Sequence, residues 1–242
     1  MSDKIIGRNP VLEAIKAGRD IDKIFVKKGK PEGSLVPLIR KARDKGIVIS
    51  EVDRQKLDEL SAGENHQGVV AFVSEIEYKT IDDIIKTAES RGEAPFVIIC
   101  DRITDPHNMG AIIRTADCVG AHGVIVPKRN SAPVNEVVSK TSAGAVEYMN
   151  ICRVTNLASA IDTLKEKGFW ITGADMDGSS MYDIDLKGSI GIVVGSEGEG
   201  ISRLVREKCD FIASIPMYGN VSSLNASVAA GVLMYEALRQ RK

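Results

Sequence analysis

The sequence predicts an α/β protein in two parts: a small N-terminal α/β/α domain and a larger C-terminal domain built on a mostly parallel sheet. From Pro95 onward, short apolar runs alternate with amphipathic helical patterns, as in a sheet covered on both faces. A polar stretch, residues 76–94, separates this region from an earlier and shorter alternation of the same kind. The 242 residues, 43% hydrophobic and 27% charged, suffice for one large or two modest cores.

In the first part, residues 1–75, Asn9 is placed to cap and Pro10 to open a helix through Val11, Leu12 and Ile15 that stops at Gly18. A strand follows at 21–28. Ser34 is placed to cap a helix carrying Leu35, Leu38, Ile39 and Ala42 that ends at Gly46. Residues 47–52 read as a strand, Asp53 caps a helix with Leu57 and Leu60, and 69–73 is a last strand. Residues 76–94 read as a linker with room for one short helix around 81–88. In the second part, 95–242, strands are expected at 96–100, 123–126, 148–154, 169–173, 190–194 and 211–215. Helices are expected at 110–119, 134–143, 157–167 and 202–207, with a closing helix at 226–239. On that last helix Val228, Val232, Tyr235 and Leu238 share one face, read as the buried one.

Composition removes several function classes. No run approaches the ~20 apolar residues of a membrane span, and the first residues lack a signal-peptide core, so the cytoplasm is the expected compartment. Cys100, Cys118, Cys152 and Cys209 form no C-x-x-C pair, and His66, His107 and His122 lack ligand spacing, so free thiols and no metal are expected. The net charge of −1 conceals an asymmetry: residues 1–50 carry twelve Lys or Arg against six Asp or Glu. That imbalance suits an RNA-facing module, because phosphate contacts dominate nucleic-acid affinity, and it equally suits an unevenly charged solvated surface.

Three blocks hold chemistry-bearing residues. The first, DPHNMGAIIRTAD at 105–117, follows a buried strand, so its side chains belong at the carboxyl edge of the sheet, where open α/β folds bind ligands. Asn108 sits where a helix N-cap would, Gly110 permits close backbone approach, and Arg114 either binds an anion or reaches out to solvent. The second, IGIVVGSEGEGIS at 190–202, runs a strand into a loop of Gly195, Gly198 and Gly200 whose N–H groups suit a cofactor. Its G-x-x-G-x-G spacing fails both common nucleotide fingerprints, which argues against a nicotinamide oxidoreductase. Glu197 and Glu199 disfavour phosphate and fit a ligand with a cationic or hydroxyl-bearing part. The third block, from SIPM to SSLNASVAA, places Ser223 or Asn225 as the cap of the closing helix.

Together and in this order, N-x-G-A-I-I-R-T-A, V-V-G-S-E-G-E-G-I and I-P-M…S-S-L-N-A-S-V-A-A resemble the SpoU/TrmH family of RNA 2′-O-ribose methyltransferases. The likeness extends through TSAGA at 141–145. GRNPVLEAI at 7–15 and NHQGVVAFV at 65–73 resemble the ribosomal-protein-L30e-like RNA-binding module that many members carry. The resemblance implies a SPOUT fold closed by a trefoil knot, S-adenosyl-L-methionine as methyl donor, no metal, and a homodimer. It also implies a cofactor site of Gly195, Glu197, Gly198, Ile215, Met217, Leu224 and Asn225, and a catalytic set of Arg114, Asn108, Glu197, Asn225 and Ser223. A guanidinium stays protonated in a protein, so Arg114 is expected to grip the adjacent phosphate and stabilise developing alkoxide charge, not to act as a base. In the RNA-binding module Arg8, Lys27, Lys28, Lys30, Arg40, Lys41 and Arg43 are candidate contacts. The two-part layout implies the branch that methylates guanosine ribose in bacterial 23S rRNA. A tRNA ribose methyltransferase, and a catalytically silent RNA-binding protein of the same fold, are the alternatives.

Overall fold

The computed structural model describes residues 4–74, 76–221 and 223–242, and the chain divides into two compact units between Glu77 and Tyr78. Residues 1–3 and 75 of the expected first domain lie outside the described residues.

The first unit runs β1 (Lys4–Ile6), α1 (Arg8–Lys16), β2 (Ile21–Lys27), α2 (Leu35–Asp44), β3 (Val48–Val52), α3 (Arg54–Leu60) and β4 (Val69–Val73). Its sheet order is β1-β4-β2-β3, with β1 and β2 antiparallel to β4 and β2 parallel to β3. Strand β1, three residues long, is too short to leave a period in the sequence. Helix α1 starts earlier than expected: its cap is Gly7, at φ 94°, and Asn9 lies inside the first turn. Glycine takes that left-handed φ without steric cost, so it displaces the better side-chain cap. Val11, Ile15, Ile24, Leu38 and Val69 form the core, and full burial of each such side chain contributes roughly 1.5–3 kcal/mol.

The second unit runs α4 (Ile81–Arg91), β5 (Phe96–Cys100), α5 (Pro106–Cys118), β6 (Gly123–Pro127), α6 (Glu136–Thr141), β7 (Ile151–Val154), α7 (Leu157–Glu166), β8 (Trp170–Ser180), β9 (Ile190–Val194), α8 (Arg203–Lys208), β10 (Phe211–Ser214) and α9 (Ala226–Arg241). Residues 78–94, read as a linker, pack into this unit. A capping box between Thr80 and Asp83 starts α4, and its Ile84 is buried against the sheet beside Val97 and Ile125.

All six strands are parallel, in the order β10-β8-β9-β5-β6-β7. Every residue of β5 and of β9 is buried, as a doubly covered parallel sheet requires. Helices α4, α7 and α8 cover one face, while α5 and α9 pack against β6, β8 and β9. The chain leaves β5 toward β6 and β7, then returns on the other side, so the strand order reverses between β5 and β9. Ligands bind outside the carboxyl ends of strands at such a switch point.

Three expectations are corrected here. Residues 145–147 form a 3-10 turn after Gly144 (φ 85°), so Tyr148 is 81% exposed and the strand begins only at Ile151. Helix α5 is capped by Asp105, whose Oδ1 accepts from the His107 N–H at 3.0 Å, with Pro106 as its first residue; Asn108 therefore stands within the first turn. On α9 the buried face is Ala226, Ala230, Leu233, Met234 and Ala237, while Val228 and Tyr235 are 50% and 54% exposed. The small residues win the interior because α9 lies against α5: a Cβ on Gly231 would meet Thr115 Cγ2 at 3.7 Å.

Candidate active site

Three loops leave the carboxyl ends of β5, β9 and β10 and converge. The loop after β9 closes on itself through two backbone bonds, Ser196 N–H to Gly200 O at 3.2 Å and Gly200 N–H to Ser196 O at 2.9 Å. Gly198 (φ 84°) and Gly200 (φ 63°) take left-handed conformations that make this turn. Gly195 is needed for a different reason: any Cβ there would collide with the Gly200 carbonyl and the Ile201 nitrogen.

Asn108, Glu197 and Asn225 meet where these loops meet. Asn225 caps α9, its Oδ1 accepting from the N–H groups of Ser227 (2.9 Å) and Val228 (3.3 Å) and from the Ser227 hydroxyl (2.6 Å). Its Nδ2 donates to Asn108 Oδ1 at 2.9 Å and to Glu197 Oε1. Asn108 Nδ2 also donates to Glu197 Oε1, at 3.1 Å, and so does the Ala226 N–H at 3.4 Å. One carboxylate oxygen thus accepts three N–H groups beside the N-terminus of α9. The capping that explains Asn225 locally also orients its amide toward Glu197.

Beside this cluster lies a cavity of about 550 Å³, in the range of small-ligand sites. Of the residues named for the cofactor, Gly195, Glu197, Gly198, Ile215, Met217 and Leu224 line it and Asn225 does not; Ser223, named for catalysis, lines it as well. Ala174, Asp175 and Met176 line it too, and sequence reasoning missed them. They belong to a break in the β8–β10 ladder: Ile212 pairs with Gly173, but Ala213 pairs with Ser179, so residues 174–178 bulge out of register. Gly178 allows this, since a Cβ on it would run into the Ile212 carbonyl. Asp175 is held in the bulge by Arg206 Nε at 3.0 Å. The carboxyl-edge rule, applied to the end of every strand near the switch point, would have found this wall.

Arg114 stands apart. It is exposed, lies outside the cavity lining, and its side chain makes no hydrogen bond or ion pair with another described residue. Six residues beyond Asn108, it is turned about 240° round α5 and about 9 Å along its axis. Gly110, on the same face, brings α6 close: an added Cβ would lie 2.6 Å from Thr141 Cβ, so its close approach serves a neighbouring helix.

In the first unit Arg8 is taken up internally, its Nε donating to Gln67 O at 2.8 Å and its Nη1 to Glu32 O at 3.2 Å. Lys27, Arg40 and Arg43 instead line a cleft of about 300 Å³ with Val36 and Ile39, and Lys28, Lys30 and Lys41 are exposed. The cysteines carry no disulfide. Burial pushes the Cys100 and Cys209 thiols up to about 12 and that of Cys152 up to about 11, so these are inert neutral groups. Among the described residues no group of three His, Cys, Asp or Glu side chains is placed to hold a metal.

Comparison with known proteins places this architecture. Residues 95–235 match the SpoU rRNA Methylase family, and residues 4–79 match a domain described as RNA 2′-O ribose methyltransferase substrate binding. The TrmH family protein YacO of Bacillus subtilis (strain 168) is 46% identical over 240 residues, covering 99% of this chain and 96% of its own. The crystal structure of the SpoU methyltransferase AviRb from Streptomyces viridochromogenes, in complex with AdoMet, is 28% identical with a TM-score of 0.62. It covers 98% of this chain and 89% of that one. An AdoMet-bound rRNA methyltransferase from Sinorhizobium meliloti is 25% identical with a TM-score of 0.60, covering 98% and 87%.

Proposed function

The chain belongs to the SpoU rRNA methylase family of S-adenosylmethionine-dependent RNA methyltransferases, and from that premise we propose that it methylates a ribose 2′-hydroxyl, that of a guanosine in 23S rRNA. The observation that carries the reading is the convergence of Asn108, Glu197 and Asn225, from three separate blocks, at the rim of the cavity. No helix among the described residues is long and apolar enough to cross a membrane, and the reaction is assigned to the cytoplasm.

The cavity suits the donor chemically. Gly195 and Gly198 place backbone without side chains at the wall, Ile215 and Leu224 offer apolar surface for a flat base, and Asp175 and Glu197 offer carboxylates to a cationic centre. S-adenosylmethionine, when bound, supplies a methyl group already activated by its sulfonium. The protein's own part is positioning and charge. Glu197 is oriented through one oxygen by Asn108, Asn225 and the Ala226 N–H, which fixes the rim against which the ribose rests. Ser223, on the cavity wall, supports the same edge. Arg114 grips the phosphate next to the target and stabilises charge developing on the 2′-oxygen, staying protonated throughout.

The first unit selects the RNA, with Lys27, Arg40 and Arg43 at its cleft as phosphate contacts; Arg8 is excluded because its guanidinium is engaged. The match of an rRNA methyltransferase over nearly the whole chain favours rRNA. The names of the curated relatives pair tRNA with rRNA, which makes tRNA the second reading. A homodimer is part of the proposal. The exposed Val228 and Tyr235 on α9, with Val232 and Leu238 partly buried between them, form an apolar stripe that a second copy covers. Light scattering should find a dimer that Tyr235→Glu weakens, and a wild-type monomer would contradict it. The function is tested by supplying labelled donor with unmodified 23S rRNA or tRNA and mapping 2′-O-methylation. A single methylated guanosine ribose in 23S rRNA is expected. Label in tRNA alone favours the second reading, and no label in either RNA overturns the assignment.

A further inference from the structure

Beside the cavity, on the loop that leads from β5 to α5, Arg102 carries two local costs. It is the non-glycine residue of that loop with a left-handed backbone, φ 58°, and its Nε–H is buried with no hydrogen-bond partner among the described residues. The Asp101 carboxylate, 3.9 Å from that Nε, is too distant to accept from it. A glycine there would avoid both costs. What the arginine does in return is grip the loop after β9. Its Nη1 donates to Glu199 Oε2 at 2.6 Å and its Nη2 to Gly200 O at 3.4 Å. The preceding residue holds the far end of the same loop: buried Asp101 accepts the Ser202 N–H on Oδ2 at 2.7 Å.

That loop has reason to need holding. Gly195, Gly198 and Gly200 give it more backbone freedom than other residues would, and a flexible loop must be ordered when a ligand binds. The Ser196–Gly200 bridge closes the turn but does not fix its attitude toward the cavity. Arg102 and Asp101 fix that attitude from the strand that also leads to Asn108 and Arg114.

We propose that Arg102, set by its left-handed backbone and assisted by Asp101, is a positioning residue that holds the 195–202 loop in its donor-binding shape. The inference rests on the reading of the cavity as the S-adenosylmethionine site. It assigns Arg102 no contact with donor or RNA; it acts through Glu199 and Gly200.

The test uses the full-length protein, with donor affinity from calorimetry and kcat and KM from methyl transfer. Arg102→Gly suits the backbone at φ 58°, so its melting temperature is expected to stay level or rise. Its Kd and KM for S-adenosylmethionine are expected to increase about tenfold, while kcat at saturating donor and KM for RNA stay within about twofold. Arg102→Lys is expected to recover part of the donor affinity. Exchanging the charges, Arg102→Glu with Glu199→Arg, is expected to recover most of what Arg102→Glu alone loses. A purely structural role would lower the melting temperature and would not give this KM-only change with charge-swap rescue. Unchanged donor affinity in Arg102→Gly, or a rise in KM for RNA instead, overturns the inference while the cavity reading stands. A wild-type protein that binds no donor overturns the cavity reading and this inference with it.

Discussion

Two kinds of surface in the molecule are built differently. On the loops after β9 and β10, a set of polar groups is tied down: the Ser196–Gly200 bridge, the three donors to Glu197 Oε1, the Asn225 cap on α9 and the Asp101 bond to Ser202. By contrast, the Arg114 side chain on α5 is exposed and makes no bond to another described residue, and in the first unit Lys27, Arg40 and Arg43 line an open cleft. On the proposed reading, a small donor meets a cavity already shaped for it, which reduces the ordering that binding must impose. On the same reading, a large polyanion meets charged side chains that acquire partners when it arrives. One chain would thus keep a preorganised pocket and a charged grip, and each can be damaged without the other.

Arg114→Ala should break the grip alone and have the largest effect. Methyl transfer is expected to fall by about 10³-fold in kcat/KM, with unchanged donor affinity, because charge stabilisation near the reacting oxygen is lost. Gly195→Ala should break the pocket alone. The methyl group collides with backbone atoms of Gly200 and Ile201, so the loop cannot close, and donor Kd is expected to rise by about 10²-fold while RNA still binds in a gel-shift assay. Asn225→Ala sharpens the comparison because the residue works at their junction. Losing a cap costs about 1 kcal/mol, which lowers the melting temperature by roughly 2–4 °C, and freeing Glu197 should reduce kcat about tenfold.

The smallest effect concerns the sheet beneath both sides. His122 is buried, its Nδ1 accepting from the Phe96 N–H at 3.0 Å and its Nε2 facing Glu93 at 2.9 Å. Burial holds its pKa below the usual histidine value, outweighing Glu93. The unfolded chain therefore binds this proton more readily, so the stability His122 contributes is present above the unfolded pKa near 6.5 and is lost as pH falls through the lower folded value. Thermal melts from pH 7.5 down to 5 should show a shallow decline, on the order of 1–2 °C from this group, that His122→Asn flattens. A steep decline that survives the substitution would assign it to other groups.

How much was legible in the sequence follows the same division. The position of the cavity was readable because its residues come as contiguous blocks after apolar strands: Gly195, Glu197, Gly198, Ile215, Met217 and Leu224, named for the donor, line it, though Asn225 does not. The wall at Ala174–Met176 was not, since a break in strand pairing depends on how Gly178 meets Ile212 across the sheet, and neither residue signals it alone. The phase of α9 was misjudged for a related reason. Val228 and Tyr235 are more apolar by type than Ala226 and Ala230, but close approach to α5 selects the small face. Asn108 was assigned as a cap from its type, whereas Asp105 and Pro106 start the helix three residues earlier and free Asn108 to meet Glu197. Pattern identified which blocks matter; contacts between blocks decided what each residue touches.

The central claim is that the donor pocket exists before RNA arrives, and that Arg114 contributes nothing to it. Calorimetric titration of S-adenosylmethionine into the RNA-free protein, wild type and Arg114→Ala side by side, tests this most directly. Equal affinities for both proteins without RNA are predicted. Binding that appears only after RNA is added, or that Arg114→Ala abolishes, would contradict it.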